Sequence, residues 1–174
     1  MLNILIVEDE PLFAQTLRHL VELDPRYVVT AIADDSASAL AAVRRRRPDL
    51  ALVDLQLARG STGFAVAAKL VELGIACLFT SGKAPSFPIP DLALGCLVKP
   101  FSEEDLVRAL KTAEDLLRGR ERVRPSRPGN LRLYAEERDA VAETAPVPQA
   151  SVETPGTGTS RSRWWRGTGR RRAG

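Results

Sequence analysis

The sequence predicts a doubly wound α/β domain, a five-stranded parallel sheet covered by helices on both faces, over residues 1–118 of its 174. Three observations carry that expectation. Five short, nearly continuous apolar runs recur between residues 3 and 98, as in strands buried on both faces. Amphipathic stretches of helical period separate them, which parallel strands need for their crossovers. Each run ends on polar or charged residues, where an open α/β sheet presents the carboxyl ends of its strands to a ligand.

The elements follow in order. Asn3–Val7 is the first strand, and Pro11–Leu23 the first helix, with Phe13, Leu17, Leu20 and Val21 at helical spacing. Tyr27–Ala33 is the second strand. Asp34 or Asp35 then caps a helix carrying Leu40 and Val43, which ends in Arg44-Arg45-Arg46-Arg47 before Pro48. A basic run suits a helix C-terminus, so it reads as a solvated face and not as a binding site. Leu50–Val53 is the third strand, and Phe64, Ala67, Ala68 and Val71 mark the helix after it. Ala76–Thr80 and Gly95–Val98 complete the sheet. The last helix begins at an N-cap, Ser102, with Glu103, Glu104 and Asp105 set against its dipole. Its apolar stripe is Leu106, Ala109, Leu110, Ala113 and Leu117. Between Thr80 and Lys99 stand Pro85, Pro88 and Pro90, which no regular helix of ordinary length tolerates. The fourth crossover helix is therefore expected to be reduced or absent.

Charge divides the chain. Residues 1–117 hold 12 Lys/Arg and 16 Asp/Glu, whereas residues 118–174 hold 13 and 6. The second part also has seven glycines and only six Leu, Ile, Val or Phe in 57 residues, too little apolar surface to offset its ordering entropy. Residues 119–174 are therefore expected to be a basic, Pro/Gly/Arg-rich and mostly disordered tail that adds little to the core, with a short helix around 130–143. Apolar stretches of four or five residues fall far short of the roughly 20 needed to span a bilayer, and Met1-Leu2-Asn3 lacks a signal-peptide pattern, so a cytoplasmic protein is expected. Cys77 and Cys96 lie in apolar runs, and His19 is the single histidine. That excludes a disulfide framework, a zinc site and a histidine-based triad.

The strand ends carry the chemistry. The first delivers Glu8 and Asp9, the third Asp54, the fourth Thr80 and Ser81, and the fifth Lys99 followed by Pro100. Taken singly, Asp9 reads as a cap for the helix opening at Pro11, Asp54 as a turn residue, Thr80 as a strand hydroxyl and Lys99 as an exposed charge. Together they make a different object. Three carboxylates converging on one rim repel one another, and a hard divalent cation, expected to be Mg²⁺, with a nearby lysine would offset that cost. Acidic, acidic, hydroxyl and lysine ends on successive strands suit a site that handles a metal and a phosphoryl group.

Over about residues 2–118 the chain resembles the receiver domain of bacterial two-component response regulators. The matching pieces are I-L-I-V-E-D-E-P, R-P-D-L-A-L-V-D-L-Q-L, G-S-T-G-F, L-F-T-S-G and L-V-K-P-F. The resemblance implies a flavodoxin-like strand order 2-1-3-4-5. It implies that Asp54 accepts a phosphoryl group from a histidine kinase or histidine phosphotransfer protein, and that Mg²⁺ is held by Glu8, Asp9, Asp54 and the backbone carbonyl of Gln56. Lys99 would pair with the phosphoryl oxygens, Thr80 would hydrogen-bond to them, and Lys99-Pro100 would be a cis peptide. Such a receiver transfers the group to itself, so the chain is not expected to be an enzyme with a separate substrate; output would pass by protein contact. Two departures strike the usual output face: the proline-bearing segment after Thr80, and Cys96, where many receivers carry an inward-turning Tyr or Phe.

An alternative rests on the tail. Arg161-Ser162-Arg163-Trp164-Trp165-Arg166 and Arg170-Arg171-Arg172 suit nucleic acid, through phosphate charge and stacking, or an anionic membrane, with the receiver regulating that contact. A degenerate, unphosphorylated scaffold is argued against by the intact set of Glu8, Asp9, Asp54, Thr80 and Lys99.

Overall fold

A computed structural model describes residues 1–57, 62–120 and 128–134. The five expected strands are present as β1 (Leu2–Val7), β2 (Tyr27–Ala33), β3 (Leu50–Asp54), β4 (Ala76–Ser81) and β5 (Gly95–Val98). They pair in parallel in the order β2-β1-β3-β4-β5. Alternate residues of each strand point to opposite faces, and both faces are apolar, so two cores form. Ile4, Ile6, Leu52, Leu78 and Leu97 face one way, against Leu17 and Val21 of α1 (Pro11–Glu22) and Leu106 and Leu110 of α4 (Glu103–Leu117). Leu5, Val7, Val53, Cys77, Phe79 and Cys96 face the other way, against Ala39 of α2 (Ser36–Arg45) and Val66, Ala67 and Leu70 of α3 (Gly63–Glu72).

Local signals fix where the helices begin. The Asp35 side chain caps α2 in a reciprocal box with Ser38, Thr62 caps α3, and Ser102 and Asp105 form the same kind of box on α4. At α1 the N-cap position belongs to Glu10. Asp9 stands one residue before it. The far end of α4 is tied to β2 by the buried Glu114, which accepts from Tyr27 Oη at 3.2 Å and pairs with Arg118 at 2.9 Å. Between Ser81 and Gly95 no helix forms and the chain makes only turns and bends, as the three prolines require.

The structure departs from expectation after α4. Pro128-Gly129-Asn130 lead into a sixth strand, β6 (Leu131–Leu133), which pairs antiparallel with β5. Leu131 and Leu133 join the core beneath α1 and α4, while Tyr134, 1% exposed, joins the core beneath α2 and α3. The sheet is thus six-stranded and mixed, and residues 131–133 are strand where a helix over 130–143 was expected. The tail region contributes more to the core than its composition suggested. The rest of that expected helix, 135–143, and the basic tryptophan segment, 161–172, lie outside the described residues. No helix among the described residues is long and apolar enough to cross a membrane.

Ending the chain at Arg118 should therefore cost stability, because it exposes the β5 edge and removes the buried Leu131, Leu133 and Tyr134. A loss of about 3 kcal/mol or more is expected from that apolar area, seen as a lower melting temperature than that of the full chain. Coincident melts would show that β6 adds nothing.

Candidate functional site

The strand order reverses direction at β1, whose neighbours are β2 on one side and β3 on the other. That reversal opens a crevice at the carboxyl ends of β1 and β3, and the charged residues gather there. Glu8 follows β1 and Asp54 closes β3; they are only 4% and 6% exposed. Lys99, one residue past β5, reaches back over the sheet. Its Nζ lies 2.7 Å from Asp54 Oδ2 and 3.0 Å from Glu8 Oε2. The other Asp54 oxygen, Oδ1, accepts from the backbone N–H of Gln56 at 2.9 Å, which fixes the rotation of the carboxylate. Three of the residues singled out in the sequence, Glu8, Asp54 and Lys99, thus meet directly. Asp9 stands half-buried beside Glu8. Thr80, buried, is the register partner of Asp54 on β4, and its carbonyl accepts from Leu55 N at 3.1 Å. The peptide Lys99-Pro100 is cis, as the resemblance implied.

Electrostatics follow from this crowding. Burial pushes the Glu8 carboxyl above its ordinary value, and the Asp54 charge adds to the rise, against the pull of Lys99. Burial alone would lower Lys99, but its hydrogen bonds to Asp54 and Glu8 outweigh that and hold the ammonium above its ordinary value. The lysine therefore stays charged at neutral pH. A group the sequence reading placed only in a helix stripe also takes part: the Lys99 ammonium sits 4.2 Å from the centre of the Phe13 ring, a cation–π contact. Phe13 in turn leans on Phe101, with centroids 6.1 Å apart. Helical spacing placed Phe13 on the core-facing stripe of α1, where it is partly buried, but nothing local reported what it faces.

Gly63 explains the G-S-T-G-F motif. A Cβ there would run into the carbonyl oxygen of Asp54 and the Cα of Leu55. Only glycine lets α3 start against the end of β3. The donors on this rim are all hard oxygens, which suits Mg²⁺. Among the described residues no three Asp, Glu, His or Cys side chains close into a metal cage on their own. Mg²⁺ does not need one, since it is commonly held by one or two carboxylates with waters and phosphate oxygens completing the shell. The buried pair Glu8 and Asp54, with only one ammonium between them, leaves excess negative charge that fits a cation.

Comparisons with known proteins agree with this geometry. Residues 4–111 match the family described as the response regulator receiver domain. The positive alginate biosynthesis regulatory protein of Pseudomonas aeruginosa is 35% identical over 141 residues, covering 77% of this chain and 51% of that protein. A probable transcriptional regulatory protein, NarL, of Mycobacterium tuberculosis is 32% identical over 151 residues, covering 83% and 67%. Among solved structures, the signal receiver domain of a modulated diguanylate cyclase from Desulfovibrio desulfuricans superimposes with a TM-score of 0.57 at 29% identity, covering 70% of this chain and 99% of that one. The chain spans about half the length of the first curated relatives it matches. These findings favour the receiver reading over an effector reading built on the tail.

The raised carboxyl of Glu8 has a consequence for stability. A group whose folded pKa is raised contributes stability that is fully present below its unfolded pKa and is lost as pH rises through the folded value. Glu8→Gln keeps an acceptor for Lys99 and abolishes the titration. Its stability relative to the wild type should therefore improve as pH rises from below the ordinary glutamate range to neutrality. Urea denaturation at both pH values checks this; a mutant whose stability relative to the wild type stays constant or falls as pH rises would contradict the assignment.

Proposed function

The chain belongs to the family of response regulator receiver domains of two-component systems, and on that premise we propose that its Asp54 accepts a phosphoryl group from a histidine kinase or a histidine phosphotransfer protein. The observation that carries the reading is the Asp54 carboxylate itself, seated in the β1/β3 crevice with one oxygen fixed by Gln56 N–H and the other on Lys99. We take the receiver to comprise residues 1–118 together with 128–134, the remaining residues forming an appended tail, and its setting to be the cytoplasm.

A carboxylate is a weak nucleophile, so the site must supply orientation and charge. In the proposed step an Asp54 oxygen attacks the phosphorus in line. The new O–P bond forms as the P–N bond to the donor histidine breaks, and the electron pair leaves on the imidazole nitrogen, which takes up a proton. Lys99 keeps its own proton and moves from pairing with Asp54 and Glu8 to pairing with phosphoryl oxygens. The Thr80 hydroxyl, on the strand next to Asp54, would donate to the same group. Mg²⁺, which receiver domains generally bind, would be held here by Asp9, Asp54 and the Gln56 carbonyl with help from Glu8, and would neutralise charge on the phosphoryl oxygens. The product is a labile acyl phosphate, a signal and not a released product. Output then passes by protein contact.

Incubation with Mg²⁺ and acetyl phosphate should add one phosphoryl group, measured by intact mass or labelling. Asp54→Asn should abolish it, and chelation of the metal should block it. Equal labelling of the mutant would sink the assignment.

A further inference from the structure

The segment 128–134 touches the site on both sides of its lysine. The Val98 backbone N–H donates to the Asn130 carbonyl at 2.9 Å, and Asn130 Nδ2 donates to the carbonyls of Val98 and Pro100 at 3.3 and 3.5 Å. Lys99 is the residue between. Asn130 Nδ2 also lies 3.4 Å from Asp105 Oδ2, in the cap of α4. At the other end of the segment, Tyr134 N donates to the Leu94 carbonyl at 3.1 Å. The Tyr134 ring packs against Phe79, centroids 6.5 Å apart, and Phe79 immediately precedes Thr80. The backbones are close enough that a Cβ on Gly95 would strike the carbonyl of Arg132 and the Cα of Leu133. The nearest obstacles to that Cβ belong to β6.

We propose that Asn130 is a positioning residue for Lys99, and that the docked segment 128–134 is a working part of the phosphoryl site: it holds the Lys99 loop at its start, supports the strand leading to Thr80 at its end, and is itself docked more tightly when the site is loaded. The inference rests on Asp54 being the phosphoacceptor. Lys99 and Thr80 are the two groups assigned to the phosphoryl oxygens, and this one segment contacts both neighbours of the first and the residue that precedes the second. If the docked segment favours the loaded site by some factor, loading favours docking by the same factor, because coupling between binding equilibria is reciprocal. The phosphoryl state of Asp54 is thereby read out where the chain leaves the sheet at Tyr134.

The test uses the full chain with Mg²⁺ and beryllofluoride, an analogue of the phosphoryl group on Asp54. Two variants loosen docking without touching a group that contacts the analogue: Asn130→Ala removes the side-chain clasp, and Gly95→Ala forces β6 away. Each should weaken beryllofluoride binding by about fivefold or more, the factor carried by roughly one lost hydrogen bond, and slow labelling by acetyl phosphate. In the wild type, beryllofluoride should slow amide exchange at 131–134 by a matching factor. A sheet edge with only a structural role would lower melting temperature and leave both affinity and exchange unmoved, which would overturn the inference. So would weaker binding in the variants without slower exchange in the wild type, since linkage demands both. Should Gly95→Ala fail to fold, Asn130→Ala and the wild-type exchange still decide. Failure of the wild type to bind the analogue would overturn the phosphoacceptor assignment itself, whereas wild-type binding indifferent to either variant would overturn this inference alone.

Discussion

The ammonium of Lys99 held between Glu8 and Asp54 is the contact on which the arrangement turns. Parallel strands bring their carboxyl ends to one rim, and two of those ends here carry buried carboxylates. Burying them unpaired would cost several kcal/mol each. Lys99 answers that cost, and it can do so only because β5 runs parallel to β4 with Lys99 N bonded to the Ser81 carbonyl at 2.8 Å, which aims the side chain back across the sheet. Phe13 supports the same charge from α1. The first crossover, the third strand and the fifth strand are thus fastened to one another at one cation, the same one that the proposed function turns toward phosphoryl oxygens.

Most of this was legible in the sequence for a simple reason. Strands buried on both faces leave continuous apolar runs, and caps leave short-range signatures such as Asp35 with Ser38 and Ser102 with Asp105. Glu8, Asp54 and Lys99, which meet in the crevice, were legible because they sit at strand ends, a position that the runs themselves define. The contacts of Phe13 with Lys99 and of Asn130 with the backbone on either side of Lys99 were not legible. The ring of Phe13 matches an ordinary core stripe, and its cationic partner is far away in sequence. β6 has three residues, so its pattern L-R-L is too short to separate from coil, and its stability comes from pairing with β5 and not from propensity. In hindsight the turn residues Pro128-Gly129-Asn130 before an alternating run were the one local hint.

Gly95, Cys96 and Tyr134 answer one constraint set by the missing crossover helix. Pro85, Pro88 and Pro90 deny the segment after β4 a helix, so the face over β4 and β5 needs cover from elsewhere. Part comes from Ile89, Leu92 and Ala93 of the turns. The rest comes from beyond α4, where Tyr134 lays its ring in the core shared with Phe79 and Cys96. That solution demands a close approach of β6, which Gly95 permits, and room on the strand face, which a small side chain at 96 leaves. Burial pushes the Cys96 thiol up to about 11, so it is neutral at ordinary pH and serves as a small apolar filler. An aromatic side chain on β5 itself would compete with Tyr134 for the same volume. The core therefore continues past the end of α4 to Tyr134, whose ring joins Phe64 of α3 in packing on Phe79, next to Thr80, although composition alone assigns that segment to the tail.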